Sequence, residues 1–451
     1  MNESELLPRK KCQELFLAVE HAARRASISD IEISLASTAD SLTRFANNEI
    51  HQNVSERATT LSVRVIVNGR TARASTNRLH RDGIQATVDE AIALARASEP
   101  GDLLPLYEDP TICDSHHYSE AAGSCTPAQR AAGVADAIHI VEAAGQVAAG
   151  IYSTAQNVEA LLNSRGLFRY YFDTLTQFSI TAMAGDSSGW AKATSPHYEE
   201  IEPVGLAERA VRKATRSRDP QEVAPGRYTV ILEPAAVLDL VGQIFMDFSG
   251  TAIADQRSFL NDRLGEKLFG SNITIYDDVA FPLQTGPRFD GEGVPRRALK
   301  LVKEGVPRQV AYSRAAARRA EAEATGHGFP LPNELGEAPL NIVIAGGSSS
   351  LDEMIASTPN GVLVTRLWYI REVEPFEKVM TGMTRDGTFL IRDGEIAGGL
   401  RNFRFNQSVV EMLRNVEALT ASERASGEEA FDMIAPGMKV NDFNFTEVTR
   451  F

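Results

Sequence analysis

Residues 229–250, TVILEPAAVLDLVGQIFMDFSG, constrain the fold of this chain more than any other stretch. Residues 229–232 are β-branched and apolar, the composition of a buried strand. Pro234 follows and suits the first turn of a helix, where its missing N–H leaves no bond unmade. Val237, Leu238, Val241, Ile244, Phe245 and Phe248 recur at helical spacing in one apolar stripe. The pattern predicts a buried strand followed by a helix over residues 234–248, packed against the sheet that contains the strand.

At 451 residues the chain is long enough for two domains with substantial cores, and the break is expected near residue 222. Before it, helices are predicted over 8–27, 82–96 and 126–144, the last opened by the capping box Thr126-Pro127-Ala128-Gln129. A polar helix follows over 204–217. Strands are predicted at 31–36, 42–45, 61–67, 158–163 and 168–183, with Asn68-Gly69 as a hairpin turn. Gly185 to Gly189 interrupts the apolar pattern and reads as the start of a junction. The half 1–222 is thus expected to be an antiparallel sheet with flanking helices. The half 223–451 is expected to be mostly β, with strands at 272–276, 341–344, 361–365, 388–392 and 403–405 and short helices at 351–357 and 406–415. Asp393-Gly394 closes a further hairpin, and the many glycine-punctuated strands predict a curved sheet or partial barrel. The fold class is α+β.

Hydrophobic and charged fractions of 43% and 24% are ordinary for a folded chain. No apolar run approaches the roughly 20 residues that span a bilayer. The start, MNESELLPRKK, lacks the apolar core of a secretory signal, so a cytoplasmic protein without membrane attachment is expected. Cys12, Cys113 and Cys125 are odd in number and lack C-x-x-C spacing, which fits neither a disulfide framework nor a zinc knuckle. Cys113-Asp114-Ser115-His116-His117 gathers potential ligands, yet its polar surroundings read as a surface connection. His139 reads as a packed or surface helical histidine. G-x-S-x-G is absent, and the run Ala345 to Ser350 lacks the lysine and glycine spacing of a nucleotide loop.

Several separate pieces, in order along the chain, resemble one family. They are RFANNEIHQ (44–52), LLNSRG (161–166), TIYDD (274–278), FDGEGVP (289–295), TGHG (325–328), TRLWYIR (365–371) and TGMTRDGTFLIRDGEI. Together with the strand and helix at 229–248, they identify the chain as similar to the TldD/PmbA metallopeptidase-related family over nearly its whole length. In the catalytic branch of that family, the helix carries a zinc-binding HExxxH. Aligned on the shared strand, those positions fall here on Gly242, Gln243 and Asp247, so neither imidazole nor the water-activating glutamate is present. The third ligand of that branch, a cysteine, falls near Ser422, and no cysteine follows Cys125. A peptidase zinc site needs about three protein ligands and an open position for water.

The resemblance therefore implies a metal-free, TldE/PmbA-like subunit. It would pair with a TldD-type HExxxH homologue that supplies the zinc, and the pair would degrade or trim flexible peptides. No catalytic residue and no cofactor are expected in this chain. Extended substrate is expected to add along a sheet edge, with Thr365, Arg366, Trp368, Tyr369 and Arg371 as candidate contacts. The plainer reading of that strand is core packing of Leu367 and Ile370. A homodimeric peptide-binding or regulatory protein without catalysis is the alternative, and a peptidase with an unrecognised metal arrangement is a third.

Asp239, Gln243 and Asp247 offer oxygens to a hard cation, but fewer than Mg²⁺ or Ca²⁺ requires, and a structural helix in which Gly242 admits a close neighbour is favoured. Asp290 and Glu292 are the other carboxylate pair and a further candidate contact for substrate. Their glycine neighbours favour a tight loop in which they cap backbone N–H groups or pair with Arg296 and Arg297. Members of the family have been described as modulators of DNA gyrase, but a net charge of −14 opposes nucleic-acid binding. The local exception is Arg296, Arg297, Lys300, Lys303, Arg308, Arg314, Arg318 and Arg319 against one acid, Glu304. It is expected to be a solvated helix face.

Overall fold

The structure is a computed structural model and describes residues 6–109 and 114–449. Asn68 and Gly69 adopt φ of +50° and +73°, the left-handed pair of a tight hairpin, and join Glu49–Val67 to Arg70–Thr76. These strands open a seven-stranded sheet that continues through Asp30–Ala46, Val147–Asn163 and Phe168–Ala184. Asp30–Ala46 is one strand where two were expected. Its polar middle, Ser37 to Ser41, is paired on both sides, so tertiary hydrogen bonding overrides weak local propensity. Alternate residues of these strands (Ile31, Ile33, Leu61, Val63, Val158 and Leu162) meet the helices Arg9–Arg25 and Arg81–Ala97 in one core. A second core joins Phe45, Tyr152, Phe178 and Ile180 to the helices Pro127–Ala143 and Pro203–Arg216. The capping box at Thr126 and Gln129 is formed.

The break expected at Gly185 is a hairpin turn instead. Gly185 has φ +64°, and Ser187–Ser195 pairs antiparallel along Phe168–Ala184 as a further strand.

In the second half, Gly226–Leu232 lies between Asn360–Glu374, which runs parallel to it, and Met438–Val448, which runs antiparallel. The order continues through Phe403–Ser408, Val379–Arg392 and Glu395–Gly399. Asn360–Glu374 also pairs with Val379–Arg392, so five of these strands close into a ring. A smaller six-stranded sheet, which includes Ile275–Asp277, Leu299–Lys303 and Ile342–Ile344, packs onto the same core. The expected basic helix face is absent. Residues 296–319 form a strand (Leu299–Lys303), a two-residue strand (Val306–Pro307) and a short helix (Arg314–Arg319). Their charges are divided among local partners: Arg297 with Glu323, Arg314 with Glu292, Arg318 with Asp102. The helix expected from residue 406 begins at Val409, because 406–408 complete the strand Phe403–Ser408. No described helix is long and apolar enough to cross a membrane.

The helix expected over 234–248 is α-helical only over Pro234–Val241 and tightens to a 3-10 helix over Gly242–Asp247. Glycine weakens the α-helix at the change-over. Phe245 and Phe248 keep their places in the core, where Phe248 meets Phe259 edge to face with centroids 6.0 Å apart. Phe245 is 1% exposed within this cluster. Phe245→Ala is expected to lower stability by about 3–5 kcal/mol, read as a lower urea midpoint with an unchanged slope.

Candidate functional site

The helix at 234–247 meets a short segment, residues 427–433, that sequence reasoning passed over. Asp239 is fully buried, and its Oδ1 accepts the backbone N–H of Glu428 at 3.0 Å and of Glu429 at 2.9 Å. Gln243, one turn on, donates through Nε2 to the carbonyls of Asp239 at 3.1 Å and Glu429 at 3.2 Å. Between them Gly242 lies so close to the segment that a Cβ there would stand 2.4 Å from the Ala430 Cβ. The close approach expected at this glycine is therefore present, and Ala430 makes it.

Asp247 does not continue the face shared by Asp239 and Gln243. Each 3-10 residue turns about 120° against 100° in an α-helix, so four residues rotate the side chain away. It meets Lys378 instead, whose ammonium lies 2.7 Å from Asp247 Oδ2 and 2.7 Å from Glu372 Oε2. The Phe259 N–H donates to Asp247 Oδ1 at 3.1 Å. Burial pushes the Asp247 carboxyl up, against the opposing pull of Lys378. Burial likewise lifts Asp239 to about 6, against its hydrogen bonds from Glu429 and Glu428. These residues do not fit a catalytic zinc. Gly242 has no donor atom, Gln243 has committed its amide nitrogen to two carbonyls, and an ammonium already neutralises Asp247.

The segment at 427–433 also reaches the strand carrying Thr365, Arg366, Trp368, Tyr369 and Arg371. Tyr369 sits in a bulge with φ +61°, uncommon for a bulky residue. The Glu429 carboxylate holds this bulge by accepting the N–H of Tyr369 at 2.8 Å and of Ile370 at 3.2 Å. Arg371 approaches the same carboxylate at 3.6 Å and lies over the Tyr369 ring. Tyr369 is 57% exposed and Arg371 is open as well, whereas Leu367 and Ile370 are in the core. Thr365 and Arg366 are buried and engaged elsewhere. Thr365 Oγ1 donates to Glu233 at 3.4 Å. Arg366 donates to Asp386 through Nε at 2.9 Å and is sandwiched between the Trp190 and Trp368 rings, 4.9 and 5.4 Å from their centroids. Only Trp368, Tyr369 and Arg371 of this set offer surface to a ligand.

Asp290 and Glu292 form a separate cluster. Asp290 Oδ1 accepts the N–H of Glu292 and Val294, each at 2.9 Å, and Oδ2 accepts that of Gly328 at 2.7 Å. This is the backbone-capping role expected of it. Glu292 accepts the Arg314 N–H at 3.0 Å and faces its guanidinium at 3.8 Å, so its partner is Arg314 and not Arg296 or Arg297. Burial, with the nearby Asp290 charge, lifts Glu292 to about 7. Nearby, His327 is buried between Asp277 at 3.0 Å and Thr325 at 2.9 Å. Cys113 lies outside the described residues. Its neighbours do not converge: Asp114 accepts the Tyr170 N–H, His116 stacks on Phe172 and His117 lies against Tyr171. Among the described residues no group of three or more His, Cys, Asp or Glu side chains is placed to hold a metal ion.

Two measurements probe this site. Lys378→Met leaves Asp247 buried without its cation and is expected to cost about 3–5 kcal/mol, while adding Asp247→Asn restores most of the loss. Recovery in the double variant by urea titration checks the pairing. Asp239 has a folded-state pKa of about 6 against an ordinary 3.8, so the stability it contributes is present at low pH and lost as pH rises through that window. Relative to the wild-type chain, Asp239→Asn is expected to gain stability between those values, by at most about 3 kcal/mol at ~1.4 kcal/mol per unit. A flat difference across that range in pH-resolved denaturation contradicts the assignment.

Comparison with known proteins accords with this architecture. Residues 225–447 match the PmbA/TldA metallopeptidase C-terminal domain, 31–95 match its domain 1 and 124–218 its central domain. A metalloprotease of Methanothermobacter thermautotrophicus is 26% identical over 428 residues, 89% of each chain. Metalloprotease PmbA of Escherichia coli O157:H7 is 22% identical over 439 residues, 94% of each chain. The crystal structure of TldE from Thermococcus kodakarensis superposes with a TM-score of 0.84 at 21% identity, over 95% of this chain and all of that one (100%). With matches to all three domains in order, the chain belongs to the PmbA/TldD metallopeptidase family.

Proposed function

We propose that this chain is the metal-free subunit of a two-chain zinc metallopeptidase in the cytoplasm. A TldD-type HExxxH homologue supplies the zinc and the water-activating base, and the pair degrades or trims flexible peptides. The observation that carries the reading is the state of the helix at 234–247. Its side chains at 242, 243 and 247 hold a neighbouring segment and a lysine, and leave no donor set open to a metal. Family membership supports the reaction class, and the absence of metal donors at 242, 243 and 247 supports a partner as the source of the zinc.

The contribution of this chain is to shape the cleft. Extended peptide adds by backbone hydrogen bonding beside the bulged strand, where Trp368, Tyr369 and Arg371 present an aromatic and a cationic surface held by Glu429.

The purified chain alone is expected to cleave no peptide, and its mixture with an HExxxH homologue from the same organism is expected to show cleavage that a chelator abolishes. Within the mixture, Tyr369→Ala in this chain is expected to raise KM about tenfold, ~1.4 kcal/mol, with kcat little changed. Cleavage by the isolated chain, or a mixture no more active than the homologue alone, overturns the subunit assignment.

A further inference from the structure

A cavity of about 400 Å³ separates the strands of the N-terminal sheet from the loops at 287–296 and 327–330. Its size falls within the roughly 300–1,000 Å³ of small-molecule sites. Ala36 and Leu161 line it from the sheet and Phe329 from the loops, with Phe289 in the same buried cluster as Leu161. Into this space come Glu159 from the sheet and Arg296 from the facing loop, while Asp290, also in the lining, has both oxygens engaged by backbone N–H groups. Arg296 donates through Nε to the Phe289 carbonyl at 3.2 Å, but its Nη1 is buried without a hydrogen-bond partner. Glu159 stands opposite Tyr171 across the strand pair, yet the Tyr171 hydroxyl is taken, donating to Asp173 at 2.8 Å and accepting from the Gly286 N–H at 3.0 Å. Among the described residues Glu159 has no hydrogen bond of its own and no direct ion pair with Arg296, although the guanidinium is near enough to influence it. Glu159 is exposed to solvent at the cavity, and desolvation by the protein around it, with the Asp173 charge, raises its pKa against the pull of Arg296.

The charge arrangement selects among ligands. A purely anionic ligand meets Glu159, a purely cationic one meets Arg296, and an apolar one leaves two partly desolvated charges unpaired. A molecule with a carboxylate, an ammonium and an apolar side chain satisfies both charges and the apolar walls. We propose that this cavity binds a zwitterionic apolar α-amino acid or dipeptide, its carboxylate on Arg296, its ammonium on Glu159 and its side chain between Leu161 and Phe329. The site belongs to this chain alone and needs no partner subunit.

Calorimetric titration of the full chain with L-leucine and L-leucyl-L-leucine tests it. At least one is expected to bind saturably in the millimolar range or tighter. Binding is expected to weaken tenfold or more in Arg296→Met and in Glu159→Gln. N-acetyl-leucine and leucinamide, each lacking one charge, are expected to bind the wild-type chain at least tenfold more weakly, a comparison that needs no variant to fold. Glu159→Gln is expected to tighten the binding of N-acetyl-leucine, because the like charge that opposes its carboxylate is gone. No binding of either zwitterion at millimolar concentration, or binding indifferent to both caps, overturns the proposal.

Discussion

The carboxylate of Asp239, buried in the helix and bonded to the backbone N–H groups of Glu428 and Glu429, is the interaction on which the second half depends. It fixes the segment at 427–433, and that segment then fixes three other elements. Glu429 turns its carboxylate onto the bulge at Tyr369 and Ile370. Ala430 fills the space left by Gly242. Lys192 of the N-terminal sheet donates to the Gly427 carbonyl at 2.6 Å, and Thr194 donates to Asp432. Desolvation still lifts the Asp239 carboxyl to about 6, and its two bonds from backbone N–H groups offset only part of that cost. The helix at 234–247 thus serves as the post that anchors a loop.

The same economy explains how the halves are joined. Ser187–Ser195 lies along the seam: Ser188 donates to Asp386, which in turn accepts from Arg366, while Trp190 lies under the Arg366 guanidinium. Lys213 completes the seam by pairing with Glu233 at 2.6 Å, just before Pro234 opens the helix. Burial lowers the Lys213 pKa, against the pull of Glu233. Arg366 is therefore a joint between the halves before it is anything else, which removes it from the surface available to a peptide.

The parts of the fold legible in the sequence were those with a local physical signature. Asn68-Gly69, Asp393-Gly394, the Thr126 capping box and the period-2 run at Leu61 to Val67 all appear where local chemistry places them. Most of the failures share one cause: the deciding partner was distant in sequence. Ser187–Ser195 reads as a glycine-rich break because its partners are a strand across a turn and a loop more than two hundred residues away. The close approach at Gly242 is made by Ala430, and Asp247 is met by Lys378, neither of which any spacing rule connects to the helix. Glu429 sat in the unremarkable run SGEEAFD, whose importance comes only from the bulge it holds. Composition suggested one basic helix at 296–319, but hairpin geometry at Glu304 and Gly305, with φ +50° and +83°, breaks it into separate pieces.

Where the metal is held when this chain and an HExxxH homologue are together is decisive, and elemental analysis of zinc per chain measures it directly. Purified alone after zinc loading and dialysis, this chain is expected to retain none, and the isolated complex is expected to hold one zinc per pair of chains. Stoichiometric zinc on the isolated chain, or two per pair, contradicts the claim that the helix at 234–247 is closed by Gln243 and the Lys378–Asp247 pair.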